Sequence, residues 1–448
     1  MLYRKWGTEK DPVLWYTSSY QDDTEILEQV KLVMKAHVVE LFLSGYISRE
    51  ACRILIQGIN AFKEIGKNYE DIHEALEDHL LKFAGDFGGM VGFGRSRNDH
   101  VATALRLKMR EELISLLEEL LQLRGTLIRR AQDETTTLFP SFTHFQPAQP
   151  TSFGHFLLYV EEELAQRWEM IFSALRLVNR SPLGSGAVVG TSVALNRERE
   201  ANILGFEGVI TNTISATSSR ADLISASMEV GVLMLVLSRV AEDLILLSSR
   251  LTNIIQLPDE HVSTSSLMPQ KRNAVTMEIL RAKTSEVLGA LMTLSSIYKS
   301  LPSGYNLDLQ EMNPEYWAIL SEARKAVYIL HDLLSKLRVR DPKLDVETLS
   351  TDEAESRVKG DVSYRTAYFE VAKSLREGSF RPSLTFEDSL ARKAVKGSPN
   401  PSKMRESIME VKNRLETHER VLNEYKNLIL KGIGELRSME DDILQEGS

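Results

Sequence analysis

Apolar residues recur at helical spacing in this chain over runs far longer than a small globular fold can use. Between about 99 and 134, Leu105, Met109, Leu113, Leu116, Leu117, Leu120 and Leu121 follow intervals that place side chains on one face of an α-helix. Comparable runs extend from about 24 to 44, with Gly45 as a C-cap, and from Thr151, read as an N-cap, to about Leu177. Others run from Ala221 to about Ile255, Val275 to Leu301, Pro314 to about Leu337, and about 403 to 431. At 1.5 Å per residue the longest reach on the order of 35–50 Å, which suits an extended bundle. The run from 221 to 255 is apolar on several faces, so it should lie inside that bundle and help to join subunits. Strand signals are confined to Ala187-Val-Val-Gly190 and Gly208-Val-Ile210, both short and set among turn residues. The expected fold class is all-α.

Composition then excludes several kinds of function. With 448 residues, 43% hydrophobic and 26% charged, the chain can bury a large core. A net charge of -9 and no long Lys/Arg block leave no electrostatic footprint for nucleic acid. The single cysteine, Cys52, excludes an internal disulfide and disfavours a thiolate metal site. No His-Glu-x-x-His occurs, and His73 and His79 lie six apart on different helix faces. The longest strongly apolar stretch, 230–237, falls far short of the roughly 20 residues a membrane span needs. Met1-Leu-Tyr-Arg-Lys-Trp-Gly7 lacks the apolar centre of a secretion signal, so a cytoplasmic protein is expected. Soft boundaries fall near 95–100, where a glycine-rich stretch gives way to a long helix, and near 341–350, at Asp341-Pro-Lys343.

Three polar, glycine- or proline-marked segments interrupt the helical pattern. Gly94-Arg-Ser-Arg-Asn-Asp-His100 offers guanidinium, amide and carboxylate groups at a helix start, where free N–H groups favour an anion. An ordinary polar cap reads the same way. Thr143-His-Phe-Gln-Pro-Ala-Gln-Pro-Thr-Ser-Phe-Gly-His155 carries His144 in a proline-punctuated loop, where an imidazole can serve as acid or base or simply face solvent. His155 lies in the apolar run that follows and is expected to be a bonded helix residue. Ser263-Thr-Ser-Ser-Leu-Met-Pro-Gln-Lys-Arg-Asn273 reads as a mobile loop able to close a hydroxyl and a cation over a carboxylate, or as an exposed basic turn. Neither a Gly-x-Ser-x-Gly elbow nor a Ser-His-Asp order supports hydrolysis.

Taken together the three segments resemble the signature regions of the fumarase/aspartase superfamily, and within it the argininosuccinate lyase branch. Gln270 discriminates: fumarases and aspartases carry glycine there, and adenylosuccinate lyases tend to carry histidine. Asp71-Ile-His73, Ser181-Pro-Leu-Gly-Ser-Gly186, Tyr305-Asn-Leu-Asp-Leu-Gln-Glu311 and, more loosely, Val362-Ser-Tyr-Arg-Thr-Ala367 extend the likeness over most of the chain. The resemblance implies a three-domain helical subunit divided as 1–98, 99–345 and 346–448. It also implies a homotetramer with a twenty-helix core, whose active sites each draw on three subunits. No cofactor or metal is implied.

The implied reaction is cleavage of L-argininosuccinate to L-arginine and fumarate by β-elimination. By the same resemblance Ser265 is the base, with Ser266 as its backup, and Lys271 stabilises the serine oxyanion. His144 serves the acid side, oriented by Glu278. Substrate contacts carried over are Ser18, Arg97, Asn98, Thr143, Arg220, Lys271, Asn273, Tyr305 and Gln310. Departures from the family pattern bear on the substrate: His100 replaces a glutamine, Ala274-Val275 a Pro-Asp, Ser215 and Ser219 aspartates, and Asn313 a lysine. The alternatives are a sibling lyase acting on another succinyl adduct such as adenylosuccinate, and a catalytically silent, crystallin-like paralogue.

Overall fold

A capping box sets the start of the longest bundle helix. The Ser96 hydroxyl accepts the Asn98 N–H at 3.3 Å, and the Asp99 carboxylate accepts the Ser96 N–H at 2.9 Å. Helix α4, Arg97–Asp133, follows at once. The structure, a computed structural model, describes residues 12–63, 69–340 and 342–445, so the stretch from Met1 to Gly7 and the boundary residue Asp341 lie outside it.

Ahead of α4 come α1 (Leu27–Leu43), α2 (Arg49–Ala61) and α3 (Ile72–Ala84). After it come a hairpin, β1 (Leu138–Thr143) with β2 (Gln146–Ser152), and then α5 (Phe153–Val178). The bundle is completed by α6 (Ala221–Ser248), α7 (Val275–Tyr298) and α8 (Asn313–Lys336), with Pro314 in the first turn of α8. Helix α6 packs on α5, α7 and α8, and α4 packs on α5 and α8. Leu113, Leu116, Leu117 and Leu120 are fully enclosed at this seam; each such leucine contributes about 1.5–3 kcal/mol of burial free energy. After α9 (Tyr364–Arg376), α10 (Pro401–Gln445) returns along α4 and reaches α1 and α2. One apolar core therefore runs from Ile26 to Ile443, with a small satellite at Ala354, Val371 and Phe380.

The all-α expectation is met, and the fold departs from the sequence reading in four places. Ser152, not Thr151, caps α5: its hydroxyl accepts the His155 N–H, while Thr151 pairs with Phe139 across the hairpin. Helix α6 stops at Ser248 rather than near Ile255. Hydroxyls of Ser248 and Ser249 donate to the Ile245 and Leu246 carbonyls there and compete with helix continuation. Helix α10 continues past 431 because Gly432 is a contact residue, not a stop; a Cβ on it would lie 2.1 Å from the Asn202 carbonyl oxygen. Neither Ala187–Gly190 nor Gly208–Ile210 forms a strand beyond an isolated bridge at Val209, whereas the segment read as a loop holds the β1–β2 hairpin. Its three prolines are tolerated because a two-stranded ribbon has open edges. Gly45 follows the α1 cap residue Ser44 at φ 77°, the left-handed conformation a helix end uses.

Candidate active site

The first cluster forms where α4 begins. Gly94 turns the chain at φ 80°, and a Cβ there would crowd Val193 and Leu195. Arg97 then reaches back to the start of α3, with Nη1 at 2.9 Å from Asp71 Oδ2 and 3.1 Å from Glu70 Oε2. Asn98 donates its side-chain amide to the Ala187 carbonyl at 3.2 Å. Beside Asp71 lies a cavity of about 20 Å³, lined among others by Arg220, Tyr305 and Gln310. Gln310 also donates to the Thr17 carbonyl at 3.1 Å, and the Ser18 hydroxyl donates to the Tyr69 and Glu70 carbonyls. Ser18, Arg97, Asn98, Arg220, Tyr305 and Gln310 are thus brought to one end of the bundle, although it is Ser19 rather than Ser18 that lines the cavity.

Burial dominates this cavity's chemistry. Arg220 is 1% exposed and leaves Nε and Nη2 without hydrogen-bond partners among the described residues. Both ring nitrogens of His73 are likewise unpaired, and burial holds its pKa well below the ordinary range. Burial, then the neighbouring Asp71, raises Asp23 to about 7. Burial raises Tyr305 as well. Unspent donors and a carboxyl of raised pKa in a cavity this small suit a polar group or an ordered water. Sequence reading missed Asp23 and Ser19; the signal available was their closeness to Ser18.

The second cluster is the hairpin tip. His144 and Phe145 are the two central turn residues, at φ 53° and 59°, a conformation that bulky residues adopt only under constraint. Thr143 and His144 are exposed, and Phe145 is 79% exposed. A groove of about 880 Å³ beside them is lined by Phe142, His144, Arg239, Asp243 and Leu251, among others. His155 behaves as expected, bonded to Thr151 at 2.8 Å and to the Gly397 carbonyl at 2.9 Å.

The third cluster is the loop before α7. A two-rung ladder, Ser263 with Asn273 and Thr264 with Arg272, closes its base. Between the rungs the Ser265 hydroxyl oxygen accepts the N–H groups of Leu267 and Met268, both at 3.2 Å. The Lys271 side chain is exposed, as are Ser266 and, one turn into α7, Glu278. Leu267 is 84% exposed. Among the described residues no hydrogen bond or ion pair joins these three clusters within one chain.

The departing residues have defined places. His100 is buried, with Nδ1 2.8 Å from Arg95 Nη1 and Nε2 3.0 Å from the Val30 carbonyl, so it serves packing. Asn313 lines the small cavity, its Oδ1 without a hydrogen-bond partner among the described residues. Ser219 meets the Tyr298 hydroxyl at 3.4 Å, and Ser215 is exposed in a short helix. Ala274 is buried at the α7 cap, and Val275 opens that helix.

Residues 47–289 match the family model described as Lyase. Argininosuccinate lyase of Sulfurisphaera tokodaii is 54% identical over 444 residues, covering 99% of this chain and all of the relative. That of Sulfolobus acidocaldarius is 51% identical and covers 100% of both chains. Among solved structures, EDDS lyase in complex with formate superposes with a TM-score of 0.83 at 22% identity, over 98% of this chain and 97% of that one. A class II fumarase from Schistosoma mansoni gives 0.67 at 17% identity, over 82% and 86%; both likenesses concern the fold. With full-length identity above one half and all three signature segments in place, the chain belongs to the argininosuccinate lyase family.

Proposed function

We propose that the protein cleaves L-argininosuccinate to L-arginine and fumarate, and that the Ser265 hydroxyl is the base. The observation that carries the assignment of the base is the pair of backbone N–H groups on that hydroxyl oxygen. A serine removes a weakly acidic Cβ proton only if its alkoxide is stabilised, and fixed amides provide that without reorganisation. Lys271, on the same loop, adds a positive charge. Arg97 and Asn98 hold a substrate carboxylate, since a guanidinium grips one through two parallel bonds. Loss of the Cβ proton delocalises charge into the adjacent carboxylate. The guanidino nitrogen then leaves with a proton supplied from the side of His144, oriented by Glu278. Thr143, Asn273, Arg220, Tyr305 and Gln310 complete the contacts, the last two facing the arginine end.

Among the described residues no hydrogen bond or ion pair joins the three clusters within one chain, and a complete site calls for assembly. Met228, Val232 and Leu235 on α6 and Ile279, Leu288 and Met292 on α7 are exposed apolar residues on neighbouring helices. A surface of that kind supports helix-to-helix association into the homotetramer, with the division at 98/99 and 345/346 and a cytoplasmic location belonging to the same reading. Among the described residues no helix is long and apolar enough to cross a membrane. The deciding measurement is fumarate absorbance after adding argininosuccinate to the purified protein. Release from adenylosuccinate alone, or from neither compound, would overturn the assignment.

A further inference from the structure

Behind the Arg97 segment, out of reach of any substrate, two titratable side chains face each other in full burial. His37 on α1 places Nε2 3.1 Å from the Phe93 carbonyl oxygen and Nδ1 3.1 Å from Glu200 Oε1. A carbonyl only accepts, so Nε2 carries hydrogen. Nδ1 is then protonated only in an imidazolium facing a carboxylate; otherwise it accepts a proton held by Glu200. Glu200 Oε2 has no hydrogen-bond partner among the described residues, and an ionised carboxylate there would be half unsatisfied in a dry site.

Burial favours the neutral pair, and the surrounding charges act in both directions. Glu40 faces Glu200 from α1 and stays ionised, bound by Arg199 at 2.6 and 3.0 Å, the Ser44 hydroxyl and the Asn196 N–H. Arg197 and Arg199 face Glu200 from its own short helix, and Arg95 faces both partners. Asp99 approaches His37 from α4. Burial and then Glu40 push Glu200 up to about 8, while burial and then Arg95 push His37 down to about 3.

We propose that His37 and Glu200 are positioning residues for the Arg97–Asn98 segment, joined by a proton on the Glu200 carboxyl, and that losing this proton loosens the segment. The proposal rests on the reading of Arg97 and Asn98 as substrate contacts. When Glu200 gives its proton to solvent, its carboxylate meets the lone pair of Nδ1. The imidazole has one N–H and two acceptors to serve. Turning it to Glu200 leaves the Phe93 carbonyl facing a lone pair, one residue before Gly94 and four before Arg97. Because the folded pKa of Glu200 is raised, its stabilising contribution is complete below the ordinary carboxyl range and is lost as pH rises through about 8.

The test compares wild type with Glu200→Gln, whose amide donates the same bond to Nδ1 and does not titrate, and with Glu200→Leu. If only the protonated form binds substrate well, wild-type KM rises about tenfold by one pH unit above the transition, with kcat changed far less. Glu200→Gln keeps KM flat over that range, and Glu200→Leu, which offers Nδ1 no carboxylate to turn toward, also shows no rise of KM with pH. Amide exchange of residues 93–98, corrected for intrinsic pH dependence, should accelerate between pH 7 and 9 in wild type but not in Glu200→Gln. Overlapping wild-type and Glu200→Gln profiles, in KM or in exchange, would overturn the proposal. Should no fumarate be released at any pH, the functional assignment fails by itself, and the exchange comparison still decides the role of the pair.

Discussion

Arg97 and Asp71 join two elements that the sequence separates: Nη1 of the arginine lies 2.9 Å from Oδ2 of the aspartate. Asp71 uses its other oxygen to accept the Glu74 N–H at 2.7 Å, capping α3. One carboxylate therefore caps the start of one helix and orients the guanidinium that starts another. Its charge is opposed by burial and supported first by Arg97.

Asp71→Asn should separate these duties. Asparagine caps a helix about as well as aspartate, so stability should change by less than about 1 kcal/mol. The charge-assisted bond to Arg97 is lost, but the burial cost of the charged carboxylate goes with it and offsets the loss in stability. Glu70 still holds Arg97 from the other side, so KM should rise by about tenfold or less while Tm stays close to wild type. A drop in Tm with unchanged KM would make Asp71 a cap alone.

Ser265→Ala removes the hydroxyl held by Leu267 and Met268. General-base catalysis typically contributes about 10²–10⁴-fold, and kcat should fall by that order with substrate binding retained. Ser266→Ala should leave most activity. If the two variants exchange behaviour, the neighbouring serine is the base.

The long helices were legible because a 3.6-residue period survives without knowledge of partners, as at Leu113, Leu117 and Leu120. Choices between adjacent residues of one chemistry were not. Thr151 and Ser152 can both cap a helix, and Ser18 and Ser19 can both face a ligand; the hairpin register and the Asp23 carboxylate decide them. The signature segments were legible as chemistry. The surroundings that set their protonation, Glu200 with His37 and Asp23 with Asp71, join positions far apart in sequence, and only the packed helices bring them together.

The Gly432 contact makes a prediction against ordinary helix propensity. Gly→Ala in an exposed helix stabilises by about 0.5–1 kcal/mol, and Gly434, with nothing within 4 Å of its would-be Cβ, should behave so. Gly432→Ala would press on the backbone at Asn202 and Gly205. Overpacking of this kind costs about 1–3 kcal/mol. Melting curves of the two variants should therefore shift in opposite directions; a shift upward in both would mean that α10 can slide away from this contact.

Assembly makes the last prediction, because among the described residues no hydrogen bond or ion pair joins the clusters at Arg97, His144 and Ser265 within one chain. If each site draws them from different subunits, light scattering at micromolar protein should give about four times 50.6 kDa. An Arg97→Ala protein and a Lys271→Ala protein should each be nearly inactive. Mixed tetramers, formed by dissociating and reassociating the two together, contain some sites whose Arg97 comes from a Lys271→Ala copy and whose Lys271 comes from an Arg97→Ala copy. Activity should reappear on mixing and depend on the mixing ratio, passing through a maximum near equal amounts. Sites built within one chain would carry a defect in every copy, so no mixture would recover activity. Recovery without subunit exchange, or full activity in a monomer, would contradict the shared site directly.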